Sequence, residues 1–250
     1  MKAGDTSHLP TYRSAAQRPM NSLQLAWAIF TEPAAAFDAL ERQPRFWFAL
    51  LVPAALSVAV FLWYFGVVDF PWLTEQMLSA HPKFDEMSEA DKRDAAQLFT
   101  REVMLWSSVA SLGLGVPLLR VLEAAYYSLA GKLTNVQHSF RHWLALAAWS
   151  SFPAVLISVA MVLPLLLTDN GQVTMEGLNP LSLNELLFNV PRSSEWHTLL
   201  TTLTVLHPWM WWLGVRAVQA WSGRGAGFSS AFALAPVVAV YGAWTLFILL

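Results

Sequence analysis

FWFALLVPAALSVAVFLWYFGVV, Phe46 to Val68, contains no charged residue over its 23 positions. A helix rises about 1.5 Å per residue, so a run of this length covers the ~30 Å hydrocarbon layer of a bilayer, where no backbone group can stay unpaired. Working outward, Trp143 to Thr168 and Gly225 to Leu250 are equally free of charge. His197 to Val215 is charge-free too and stops at Arg216, whose stem can snorkel to a headgroup. Val103 to Gly131 is apolar apart from Arg120 and Glu123. The fold class is therefore an all-α integral membrane bundle of five transmembrane helices, expected over 46–68, 103–131, 143–168, 197–221 and 229–250, with short interfacial amphipathic helices.

Composition agrees. The chain has 250 residues, of which 56% are hydrophobic and 13% charged, with mean hydropathy +0.44; soluble domains carry about 25% charged residues. With 15 Lys+Arg against 17 Asp+Glu there is no basic footprint for nucleic acid. The absence of cysteine excludes disulfides, thiolate metal sites and a Cys nucleophile. Residues 1–20 are polar and lack the apolar core of a signal peptide, so they read as a retained, disordered tail.

Loop charge sets the expected orientation. The tail with residues 21–45, Lys132, Arg141 and Arg224 brings 8 basic and 4 acidic residues to one side, against 5 and 12 in loops 69–102 and 169–196. The positive-inside rule then places the N-terminus in the cytoplasm and Leu250 outside a bacterial inner membrane. Within the outer loops, Pro71 to Ala80 aligns Trp72, Leu73, Gln76, Met77 and Ala80 on one face, as expected of a helix on the membrane surface. Ser88 with Asp91 ahead of Ala95, Leu98 and Phe99 predicts a second short helix. Ser182 with Glu185 predicts a third, its apolar face formed by Leu183, Leu186, Leu187 and Val190.

Ahead of the first span, Pro33 behind Thr31, with Phe37 and Leu40 on one edge, predicts an interfacial elbow lying on the membrane. This elbow, TEPAAAFDAL at 31–40, joins SFRHWLALAAWSSFP at 139–153, LNPLSLNELL at 178–187 and SGRGAGFSSA at 222–231. In these four features the chain resembles the Yip (Ypt-interacting protein) family of five-span membrane proteins, in its prokaryotic branch. Trp149 to Pro153 look like that family's aromatic-to-proline element in span three, with Trp where Tyr is more usual. Eukaryotic members bind prenylated Rab-type GTPases, a partner that a bacterial-looking chain does not imply. For prokaryotic members the resemblance implies a non-enzymatic scaffold or accessory protein, sometimes associated with an ABC-type exporter, and it supplies no established catalytic residue.

Several residues remain as candidates for chemistry. Arg120, Glu123 and Tyr127 follow one another at three and four positions and share a helical face. Counting the helical rise, Arg120 lies about 26 Å below Val103 and Arg216 about 29 Å below His197, so a cluster of Arg120, Glu123 and Arg216 is expected to tie spans two and four together. His207 precedes Pro208 near mid-span, and Pro208 frees the Thr204 carbonyl, which makes the pair a candidate kink, gate or ligand site. Pro53, Pro117, Pro153, Pro164 and Pro208 distribute a proline to each of the first four spans. Trp209, Trp211 and Trp212 are candidate contacts for a partner or a second copy. His138 and His142, four apart, have metal-ligand spacing but no third ligand nearby in sequence.

Walker, G-x-S-x-G and H-E-x-x-H motifs are all missing, and nothing calls for a cofactor. The leading expectation is a membrane scaffold that binds other integral membrane proteins. A channel or transporter-like pathway for a small solute or ion, built as a homo-oligomer, is the alternative, and a lipid-modifying enzyme the second.

Overall fold

The structure, a computed structural model, describes residues 19–79, 87, 88, 90 and 99–250. It is all-α, with no strand among the described residues beyond one isolated antiparallel bridge between Ser182 and Thr204. Among the described residues, four helices are long and apolar enough to cross a membrane. In the numbering used below these are α3 (Trp47–Val67), α5 (Arg101–Thr134), α6 (Phe140–Leu167) and α9 (Ala226–Leu249). Shorter helices are α1 (Ser22–Thr31), α2 (Pro33–Arg42), α4 (Phe70–Ser79), α7 (His197–Thr202) and α8 (His207–Ser222).

The stretch expected to form a continuous fourth span, 197–221, is divided. α7 ends at Thr202, Leu203 is extended and Thr204 forms a bridge, residues 205 and 206 turn, and α8 starts at His207 with Pro208 in its first turn. The cause lies in the backbone. Leu183 N–H donates to Leu203 O (2.8 Å) and Val205 N–H to Leu181 O (3.1 Å), so this segment pairs sideways with the preceding loop instead of along its own helix. Pro208, which has no N–H, sits where helices tolerate it.

Bundle and loops meet in two apolar cores. At the end carrying residues 19–45, the elbow buries its apolar edge against the bundle. α1, closed by a reciprocal capping box between Asn21 and Gln24, and α2 form a hairpin that packs into the bundle. Ala36, Phe37 and Leu40 are fully buried there. Three side chains bond its carbonyls: Trp221 Nε1 donates to Phe37 O (3.0 Å), Trp149 Nε1 to Arg45 O (2.5 Å) and His142 Nε2 to Glu41 O (3.1 Å). Phe30 reaches Phe152 (6.2 Å) and Trp209 (5.3 Å), about 18 Å along α6 from its start.

At the opposite end Tyr64, Phe65, Leu73, Val173 and Leu178 make the second core. α4 turns Leu73 inward as its pattern predicts, with Trp72 and Met77 packed beside it. The Ser88–Asp91 helix lies outside the described residues. The expected helix after Ser182 is only a π-turn, Asn184–Phe188: Ser182 Oγ accepts from Glu185 N–H (3.1 Å), but Asn189 in the left-handed conformation stops it, and Asn184 Oδ1 accepts from Val190 N–H (2.9 Å). Arg192 bonds Glu176 and Gln76 O, and Arg101 bonds the carbonyls of Phe65 and Val68 at the end of α3. These ties fold loop 169–196 over the bundle.

Each proline is accommodated locally. Ahead of Pro117 in α5 the helix widens into a π-turn, Ser111–Gly115, and at Pro153 α6 tightens into a 3-10 turn, Phe152–Ala154. Pro236 in α9 strands the Phe232 carbonyl, and Tyr126 of α5 donates its hydroxyl to it at 2.9 Å. Gly171 joins loop 169–196 to the end of α3 at φ +68°, with Asp69 N–H donating to its carbonyl (3.0 Å); a Cβ there would lie 2.4 Å from Val67 O. Gly171→Ala is therefore expected to destabilise the protein by more than about 1 kcal/mol, read as a lowered midpoint of thermal unfolding in detergent.

Candidate functional site

α3, α5, α6, α8 and α9 converge on one cavity of about 200 Å³. Its wall is apolar over most of its area, with polar groups supplied chiefly by Arg120, Glu123 and Tyr127 of α5, Ser150 and Ser151 of α6, His207 of α8 and Tyr241 of α9.

Helical spacing builds the α5 part. Arg120 Nη1 pairs with Glu123 Oε2 at 2.6 Å, and Tyr127, fully enclosed, donates its hydroxyl to Glu123 Oε1 at 2.9 Å. The Arg120 guanidinium also bonds Ser151 Oγ on α6. Both carboxylate oxygens are thus engaged, and the ion pair is neutral as a unit. The side chains of Arg120 and Glu123 retain 29% and 22% exposure, so the cavity is open rather than sealed.

Arg216 is not part of this cluster. α8 buries Leu213, Gly214, Ala217, Val218 and Trp221, and Arg216 falls on the opposite, exposed face, where it donates to Gln219 Oε1 (3.0 Å). The α5 cluster is tied to α6 through Ser151 instead. His207 stands at the first residue of α8, where the helix restarts after the break. Its Nδ1 accepts from Thr204 N–H (2.9 Å), and the freed Thr204 carbonyl takes the His207 N–H (3.1 Å). The ring lies 5.6 Å from that of Trp211 and 6.4 Å from that of Tyr241.

The three tryptophans part company. Trp209 packs on Phe30, Trp211 lines the cavity, and Trp212 is half-exposed on the outside of α8. Of the prolines, Pro53 lines the cavity, whereas Pro117, Pro153 and Pro208 shape the helices around it. His138 and His142 stand 5.5 Å apart with Glu41 beside His138 (3.9 Å), yet no group of three metal-ligating side chains forms among the described residues. Their Nε2 atoms are engaged by the carbonyls of Trp221 and Glu41.

Sequence reasoning missed Ser151, Tyr241 and Trp211 as cavity residues. Ser151 was detectable in principle, since a hydroxyl two residues before Pro153 sits where the helix opens. Tyr241 gave no signal in one apolar helix read alone.

A bundle of apolar helices enclosing one satisfied ion pair defines a polytopic membrane protein. The family model of the Yip1 domain matches residues 27–247, and the chain belongs to that family. Comparison with curated proteins and with solved structures finds no match.

Arg120→Gln and Glu123→Gln should each destabilise the bundle, and the double variant less than their sum, with a coupling of about 0.5–3 kcal/mol in a double-mutant cycle of thermal unfolding.

Proposed function

We propose that this Yip1-domain protein is a non-enzymatic scaffold or accessory subunit of a bacterial inner membrane. It binds other integral membrane proteins, an ABC-type exporter first among them. The observation that carries the reading is the free half of α9. Of its 24 residues only Ser229, Phe232 and Ala233, all near its start, are buried, while Val238 and Phe247 are 67% and 82% exposed. Ala235, Ala239 and Gly242 in the same half leave room for a second helix to approach closely. On this reading α7 and α8 together complete the fifth crossing and the N-terminus is cytoplasmic.

Photo-crosslinking residues placed at Val240 and Phe247, followed by mild-detergent purification from the native membrane, test the proposal. It predicts near-stoichiometric capture of an ABC-type exporter from these positions. Recovery of the chain alone, or joined only to itself, contradicts it. Topology is tested separately: because the chain has no cysteine, single substitutions Gln137→Cys and Glu185→Cys report each side cleanly. An impermeant maleimide applied to intact spheroplasts should label Glu185→Cys and spare Gln137→Cys.

A further inference from the structure

Glu123 has both oxygens engaged, yet the cavity around it is rich in unused donors. The Thr204 N–H that points at His207 Nδ1 requires a lone pair there, so the neutral ring carries its proton on Nε2. Nε2 has no hydrogen-bond partner among the described residues, nor have the Tyr241 hydroxyl, the Trp211 indole N–H, and Nε and Nη2 of Arg120. All four side chains line the same cavity. It also receives the start of α8, a 16-residue helix whose N-terminal end carries partial positive charge.

An apolar enclosure that gathers guanidinium, imidazole, phenol and indole donors at a helix N-terminus has one chemical complement. Each of these donors is complemented by an oxygen acceptor, and the bonds to a charged oxygen are the stronger ones. The cavity, about 200 Å³, has room for one oxyacid group.

We infer that this cavity binds an anionic oxygen group, a phosphate or a carboxylate, between Arg120, His207, Trp211 and Tyr241. Glu123 opposes it: its carboxylate, held by Arg120 and Tyr127, cancels the guanidinium charge and keeps affinity moderate. The anion can arrive on a lipid headgroup, since the cavity is open, or free in solution.

The test uses the full chain in phosphate-free dodecyl maltoside micelles and reads the thermal midpoint together with retained lipid by native mass spectrometry. Phosphatidylglycerol is titrated into one arm, inorganic phosphate and acetate into the other. Tyr241→Phe removes a hydroxyl that bonds nothing in the fold. His207→Asn keeps an acceptor for Thr204 while deleting the Nε2 donor. Each is expected to weaken binding roughly fivefold to tenfold, and Glu123→Gln to strengthen it several-fold. A response to phosphatidylglycerol alone identifies the headgroup as the source, and a response to phosphate or acetate identifies a free anion. No response in either arm overturns the inference. So does binding that Tyr241→Phe, His207→Asn and Glu123→Gln all leave unchanged, because the anion then sits elsewhere.

Discussion

A backbone polar group that cannot reach water must find a partner inside the protein. That constraint organises this bundle, because prolines repeatedly remove a donor from its apolar helices. Where Pro236 strands a carbonyl, Tyr126 crosses from α5 to take it. Where Pro117 does so, the helix widens into a π-turn. Where Pro208 does so, the helix gives way, and the segment before it pairs with loop 169–196. Irregular backbone at depth is stable only where protein covers it, and loop 169–196 supplies that cover here.

The cavity follows from the same break. A continuous helix from His197 would carry His207 past the centre as one more wall residue. Starting at His207, α8 instead brings a helix N-terminus to the level of Arg120 and Ser151. Two features then coincide: an ion pair satisfied within α5 and across to α6, and a set of donors with nothing to hold. The α1–α2 hairpin holds this geometry from one end through carbonyls bonded by Trp149, Trp221 and His142.

Much of this architecture can be read in the sequence. Charge-free runs locate α3, α6 and α9 within a few residues, since hydrocarbon length and the cost of charge leave little choice. The Arg120, Glu123, Tyr127 triplet follows from helical spacing alone. The partner of that triplet does not: whether Arg216 or Ser151 faces α5 depends on how neighbouring helices are rotated. The buried stripe from Leu213 to Trp221 does exclude Arg216 once it is read as a face. The interruption of 197–221 escapes periodicity analysis because hydrophobicity continues through it, and what decides it is pairing with residues 181–183, twenty positions away. Family membership agrees with the resemblance carried by the elbow and the Trp149–Pro153 element.

The broken helix before His207 is the central claim, and one crosslink tests it most directly. Ser182 and Thr204 are bridge partners with both flanking hydrogen bonds made by their neighbours. In that arrangement the two Cα atoms lie about 4.5 Å apart, within reach of a disulfide. The double variant Ser182→Cys/Thr204→Cys, in a chain with no other cysteine, should oxidise to an intramolecular disulfide under a membrane-permeant oxidant. Mass spectrometry after thiol blocking would then find no free thiol. If both thiols stay free and reactive in folded protein, residue 204 is carried away from the loop on a continuous helix, and the account of the cavity fails with it.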